Sequence, residues 1–162
     1  MADALSRRER VMRVAKEVAI VLGIVVAIRT YQRWDLAGGV PELPQRGLDG
    51  PLPEHPRVVH FFASWCGVCN AEADNVARLA ARHEVIAIAS QSGGEEEVRA
   101  HLTAHPLGPV HVALDPRGEL ARRFGVSAFP ATFYLDDGGS VVSAEVGYTT
   151  TLGMLLRAWW AE

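Results

Sequence analysis

From residue 57 onward the sequence switches repeatedly between two hydrophobic periods, and this alternation constrains the fold more than any other feature. Arg57-Val58-Val59-His60-Phe61-Phe62 is β-branched and aromatic and predicts a strand. A helix is predicted from about Cys66 to His83, with Ala73, Val76, Ala77 and Ala80 on one face at i, i+3, i+4 and i+7. Val85-Ile86-Ala87-Ile88-Ala89 is a continuous apolar run, as a strand buried on both faces requires. Three acids, Glu95 to Glu97, open a second helix that complements the macrodipole and stops near Pro106. Val110 to Leu114 predicts a third strand, Glu119 to Phe124 a short helix ended by Gly125, and Ala131 to Leu135 a fourth strand. Asp136-Asp137-Gly138-Gly139 turns the chain into Val141 to Val146, and Thr149 or Thr150 caps a last helix reaching Trp160. The order β-α-β-α-β-α-β-β-α needs parallel crossovers early and a hairpin late. It predicts an α/β domain with a mixed central sheet covered by helices on both faces.

The chain of 162 residues suits one domain with a true core. Its charge is uneven. Residues 1–40 carry seven Lys/Arg against four Asp/Glu, whereas residues 41–162 carry nine against fifteen. The net charge of −3 disfavours nucleic acid as a partner. Arg7, Arg8, Arg10, Arg13 and Lys16 precede an unbroken apolar run from Val18 to Ile28, with Tyr31 and Trp34 beyond it. A helix from Val11 to Tyr31 would be about 30 Å long, enough to cross a bilayer core. The excess of positive charge before the run places the amino terminus inside. Residues 1–34 therefore read as a cytoplasmic tail and signal anchor, with the rest of the chain in the periplasm or extracytoplasmic space. The competing readings are a signal peptide cleaved after Val25-Val26-Ala27 and an ordinary core helix. Residues 35–56 are rich in Pro and Gly and carry no period, so they read as a tether to a domain over 57–162.

Two cysteines are present, as Cys66-Gly67-Val68-Cys69, directly after a strand and at the start of a helix. A helix amino terminus offers free N–H groups and partial positive charge, which stabilise a thiolate. Cys66 at the cap would be the more acidic thiol and the attacking one, and Cys69, one turn on, could resolve a mixed disulfide. A purely structural bridge closing so short a loop would constrain the unfolded chain little. A structural zinc site lacks a second Cys pair. His101 and His105, at i and i+4 on another helix, read as solvated surface residues, and His60 as a hydrogen-bonded core histidine rather than a proton carrier.

Ala63-Ser64-Trp65-Cys66-Gly67-Val68-Cys69 behind a hydrophobic strand resembles the active-site segment of thioredoxin-like proteins. Glu72, three residues past the second Cys, resembles the membrane-tethered TlpA/ResA branch. Gly125-Val126-Ser127-Ala128-Phe129-Pro130-Ala131-Thr132-Phe133 resembles the cis-proline strand of the family. Gly147-Tyr148-Thr149-Thr150 and the Trp-ended last helix are similar to the suppressor-of-copper-sensitivity (ScsD-like) subfamily. The resemblance covers about residues 40–162. It implies a thioredoxin-like fold and exchange through a Cys66/Cys69 redox disulfide without a bound cofactor or metal. Protein thiols and disulfides would be the substrates, and a transmembrane electron donor a partner. Pro130 would be cis and face the Cys pair, Trp65 would belong to the docking surface unless it is a core aromatic, and Phe129 would alter substrate choice. Glu72 would relay a proton to Cys69 unless it is merely solvated. Reduction of protein disulfides is the leading direction. A disulfide-forming dithiol oxidase and a non-enzymatic Cu(I)-binding module are the alternatives.

Overall fold

A computed structural model describes residues 15–20, 23 and 40–162 of the chain. Residues 15–20 and 23 are helical. Among the described residues no helix is long and apolar enough to cross a membrane. Most of the anchor expected over 11–31, and the Val25–Ala27 cleavage site, lie outside the described residues.

The unit Gly39–Glu162 holds two sheets. A small hairpin pairs β1 (Arg46–Gly47) with β2 (Gly50–Pro51). The main sheet contains β3 (Val58–Phe62), β4 (Val85–Ser90), β5 (His111–Asp115), β6 (Ala131–Leu135) and β7 (Val141–Val146), in the order β5-β4-β3-β6-β7. β3, β4 and β5 run parallel, while β6 and β7 pair antiparallel to their neighbours. The sheet is therefore mixed, as the sequence order requires. Four helices complete the unit: α1 (Gly67–Ala80), α2 (Glu95–Ala104), α3 (Glu119–Arg123) and α4 (Thr151–Trp160).

Local chemistry sets the helix boundaries. Cys66 is the N-cap of α1, as expected, and the helix stops at Ala80, short of the expected His83. Gly94 donates its N–H to Glu97 Oε2 at 3.0 Å, so one member of the acidic run closes the start of α2. Thr150 caps α4, accepting the Gly153 N–H on its hydroxyl.

The two faces of the sheet bury different residues. Val58, Phe62 and Tyr134 point to the side covered by α1, α2 and α4, where they pack with Val76, Leu79, Val98, Met154 and Ala158. The other side carries Phe61 and Phe133, which meet Phe124, just past α3, in a three-ring cluster with centroids 5.0–5.7 Å apart. Period-2 alternation on β3 and β6 produces this division.

The tether expected over 35–56 does not extend through 46–52. These residues form the hairpin, which docks on the edge strand β5 through main-chain contacts. Leu48 N–H donates to Val112 C=O at 2.8 Å, and Leu52 is buried. A Cβ on Gly47 would lie 2.3 Å from the Val112 oxygen, so only glycine permits this approach. Arg99 of α2 ties the hairpin down through Asp49 (2.9 Å) and the Leu48 carbonyl (3.0 Å). The domain thus begins before residue 57. Two-residue strands held by backbone bonds leave no hydrophobic period to read.

A candidate redox site at the tip of helix α1

The turn from β3 into α1 is fixed by the segment that follows β4. Ser64 N–H donates to Ser92 Oγ at 2.9 Å, and the Ser92 hydroxyl donates to the Ser90 carbonyl at 3.0 Å. Trp65 Nε1–H donates to the Gln91 carbonyl, also at 3.0 Å. Its ring is 64% exposed and meets the half-buried Phe129 edge-on, with centroids 5.9 Å apart. Trp65 is therefore a surface aromatic rather than a core one.

Cys66 sits at the N-cap with extended backbone, and its Sγ accepts the Cys69 N–H at 3.1 Å. That bond and the helix dipole both favour negative charge on this sulfur. The two cysteines are joined in a disulfide with Cα atoms 5.3 Å apart. Both are largely covered, at 7% exposed for Cys66 and 4% for Cys69, so Cys66 is only slightly the more accessible. The Phe129–Pro130 peptide bond is cis and Pro130 is buried. Phe129 packs against the cluster that includes both cysteines. The Pro130 carbonyl accepts the Gly147 N–H at 2.8 Å.

Glu72 overturns the solvated reading, because its side chain is fully buried. It lies three residues past Cys69 on the same face of α1, a spacing that makes helical side chains neighbours. Oε1 accepts the Thr149 N–H at 2.5 Å, while Oε2 is buried without a partner. Burial raises its pKa from the ordinary 4.5 to about 7. The Thr149 hydrogen bond opposes that rise and the Glu145 charge adds to it. Asn75, one further turn along α1, clamps the same loop: its Nδ2 donates to Thr149 C=O (2.9 Å) and the Tyr148 hydroxyl (3.1 Å). Gly147, at φ +91°, supplies the left-handed turn that carries Thr149 back toward α1.

His60 is buried, with Nδ1 3.0 Å from Thr132 Oγ1, and burial lowers its pKa to about 4. It stays neutral over the physiological range. His101 departs from the solvated expectation, since it is half-buried and stacks on Phe62 with centroids 5.8 Å apart. Burial first, and the neighbouring His105 second, lower its pKa. Among the described residues no group of three or more His, Cys, Asp or Glu side chains is placed to hold a metal ion.

The site also includes residues not singled out in the sequence: Asn75, Tyr134, Glu145 and Arg157. Tyr134 donates its hydroxyl proton to Glu145 Oε1, and Glu145 Oε2 lies 3.2 Å from Arg157 Nε. Asn75, at i+3 from Glu72, could have been found as a second polar residue on the buried stripe of α1. The other three come from separate elements and leave no local signal.

The fold and the helix-tip cysteine pair together define a thioredoxin-like domain with a Cys-Gly-Val-Cys disulfide at its helix tip. The chain belongs to the Redoxin family, whose profile matches residues 47–154. It is 30% identical over 108 residues to a "Thioredoxin-like protein" of Haemophilus influenzae, covering 66% of this chain and 64% of that one. It is 36% identical over 92 residues to the "Thiol:disulfide interchange protein DsbE homolog" of Paracoccus denitrificans, covering 56% of this chain and 50% of that one. The chain thus spans between half and two thirds of the length of these curated relatives. Among solved structures, a thio-disulfide isomerase from Thermus thermophilus superposes with a TM-score of 0.64 at 28% identity, covering 76% of this chain and 94% of that one.

Proposed function

We propose that the protein is a membrane-anchored, extracytoplasmic oxidoreductase that reduces protein disulfides through Cys66 and Cys69. The observation that carries this reading is a cysteine pair at a helix tip with a fully buried carboxyl, Glu72, one turn behind it. In the dithiol form, the Cys66 thiolate attacks a substrate disulfide, forms a mixed disulfide and expels one substrate thiolate, which takes up a proton. The Cys69 thiol gives its proton to the Glu72 carboxylate. The resulting thiolate attacks Cys66 Sγ, closing the internal disulfide and releasing the second substrate thiolate. Two electrons pass to the substrate, and the proton held by Glu72 leaves with the product. A pKa of about 7 lets Glu72 accept and return that proton near neutrality. Trp65 and Phe129 frame the substrate strand beside cis-Pro130.

The basic, apolar segment over 11–31 supports anchoring with the amino terminus in the cytoplasm, and a transmembrane electron donor would then regenerate the dithiol. Gly147-Tyr148-Thr149-Thr150 supports placement near the suppressor-of-copper-sensitivity branch. Reduction of insulin disulfides by the whole chain tests the chemistry. Cys66→Ala should abolish turnover, and Cys69→Ala should accumulate a mixed disulfide. A wild-type pair resting oxidised in cells, with a weakly reducing potential, would reverse the direction to oxidation. Extraction of the intact chain from membranes by alkaline carbonate would overturn the anchor.

A further inference from the structure

Glu72 is bonded to a loop rather than to its own helix. Thr149, between β7 and α4, meets α1 with both of its backbone polar groups. Its N–H donates to Glu72 Oε1, and its carbonyl accepts the Asn75 amide N–H at 2.9 Å. Glu72 and Asn75 are three residues apart and both buried on α1, so neighbouring side chains of one helix grip a single loop residue. The Asn75 amide is fully used. Its Nδ2 also donates to the Tyr148 hydroxyl at 3.1 Å, and its Oδ1 accepts the Thr151 hydroxyl at 2.7 Å. The Thr149 carbonyl can only accept, which fixes the amide with Nδ2 toward it and Oδ1 toward Thr151. One uncharged side chain thus ties Tyr148, Thr149 and the first residue of α4 to α1. The two oxygens of Glu72 are consequently unequal. Oε1 holds the Thr149 N–H, whereas Oε2 is buried and has no partner.

We propose that Asn75 is a positioning residue for the proton exchange between Cys69 and Glu72: by gripping the Thr149 carbonyl it keeps the Thr149 N–H on Oε1 and leaves Oε2 as the oxygen that takes the proton. The inference rests on the exchange chemistry proposed above. In that step the Cys69 S–H bond breaks, an O–H bond forms at Glu72 Oε2, and the electrons of the S–H bond stay on sulfur. Asn75 and Thr149 neither gain nor lose a proton. A backbone N–H on a carboxyl oxygen favours the ionised form. Without the grip of Asn75 that bond is released, and Glu72 keeps its proton to higher pH. Besides the two cysteines, the titratable or charged side chains in contact with this layer are His60 on β3, His101 on α2, Tyr134 on β6, Glu145 on β7, Tyr148 in the loop and Arg157 on α4. All remain when Asn75 is replaced, and Asn75 carries no charge. A shift in Glu72 then reports the loop contact.

The test uses the whole oxidised chain, nitrogen-labelled in threonine and carbon-labelled at the glutamate carboxyl, followed by NMR against pH. The Thr149 amide is assigned by its loss in Thr149→Ser and the Glu72 carboxyl by its loss in Glu72→Gln. In the wild type the Thr149 amide proton should shift with the Glu72 midpoint. Asn75→Ala should abolish that linked shift and raise the Glu72 midpoint by about one pH unit. Thr151→Val, which unpins the amide, should raise it by less. Tyr148→Phe, which leaves the Thr149 bond in place, should change neither signal. The pH profile of insulin reduction should move upward in Asn75→Ala and stay still when the same change is made in a Glu72→Gln background. A folded Asn75→Ala chain whose Glu72 midpoint is unmoved or lowered overturns the proposal. Thr151 is only half-buried, so the sign of the Thr151→Val shift decides the matter even if Asn75→Ala does not fold. The NMR signals need no turnover, so both shifts intact in a chain inactive on insulin would sink the exchange reading and leave the grip on Glu72 standing.

Discussion

The two faces of the central sheet are built from the same strands, yet they have different chemistry. On the α3 side, Phe61, Phe124 and Phe133 interlock as an apolar cluster. On the α1 and α4 side, alternate residues of the same strands contribute His60, Thr132 and Tyr134, and the covering helices add Glu72 and Arg157. The apolar face is packed without polar compromise, whereas the other buries polar and titratable groups, and the proposed chemistry would be concentrated on that one side of a sheet five strands wide.

The largest effect should come from breaking the apolar face. Phe61→Ala removes a buried ring from the three-ring cluster and should cost about 3–5 kcal/mol in denaturant unfolding. The titration midpoint of Glu72 should not move. A shifted midpoint would show that the faces are coupled.

The second effect sharpens the contrast through pH. Between its ordinary pKa of 4.5 and about 7, Glu72 keeps a proton that the unfolded chain has lost. Its stabilising contribution is complete below 4.5 and disappears as pH rises to 7. His60 acts in the opposite sense. The unfolded chain gains a proton below 6.5 that the folded chain refuses until about 4. That contribution is complete above 6.5 and disappears as pH falls. Each shift of about 2.5 pH units corresponds to about 3 kcal/mol. The two slopes oppose each other between 4.5 and 6.5, so their joint contribution is nearly flat there. Glu72→Gln should expose the His60 slope, with stability falling as the solution is acidified. His60→Gln should expose the Glu72 slope, with stability falling as pH rises. Urea midpoints measured across this window check both, and parallel curves for wild type and variants would refute the opposition.

The smallest effect concerns the rim of the functional face. Trp65→Ala removes one edge-on aromatic contact and one hydrogen bond and should cost about 1 kcal/mol of stability. It should raise KM for a protein disulfide more than it lowers kcat. Equal loss in both would place Trp65 among the supports of the Cys turn rather than on the docking surface.

Much of this architecture is legible in the residues. The strand and helix order from Val58 to Trp160 follows from alternating periods, and the continuous apolar run of β4 marks an interior strand of the sheet. The Cys66/Cys69 pair is legible because its spacing and its place after a strand are local. The hairpin over 46–51 is not, because Gly47 and Leu48 meet the Val112 backbone rather than a patterned side-chain surface. Glu72 reads from sequence as either relay or solvated because its burial depends on the loop at Thr149, 77 residues away. The Tyr134–Glu145–Arg157 set is assembled from β6, β7 and α4, and charges that meet only in three dimensions leave no spacing to recognise. His101 misleads for a related reason: helical spacing gives its phase but not the Phe62 ring beneath it.

The indole of Trp65 faces water while its N–H is held by the Gln91 carbonyl. Freezing a flexible side chain on association costs about 0.5–1.5 kcal/mol. Here the rotamer is already chosen before any partner arrives. In the proposed exchange reaction, successive partners would therefore meet a stiff, ready-made platform that orients each visitor in the same way.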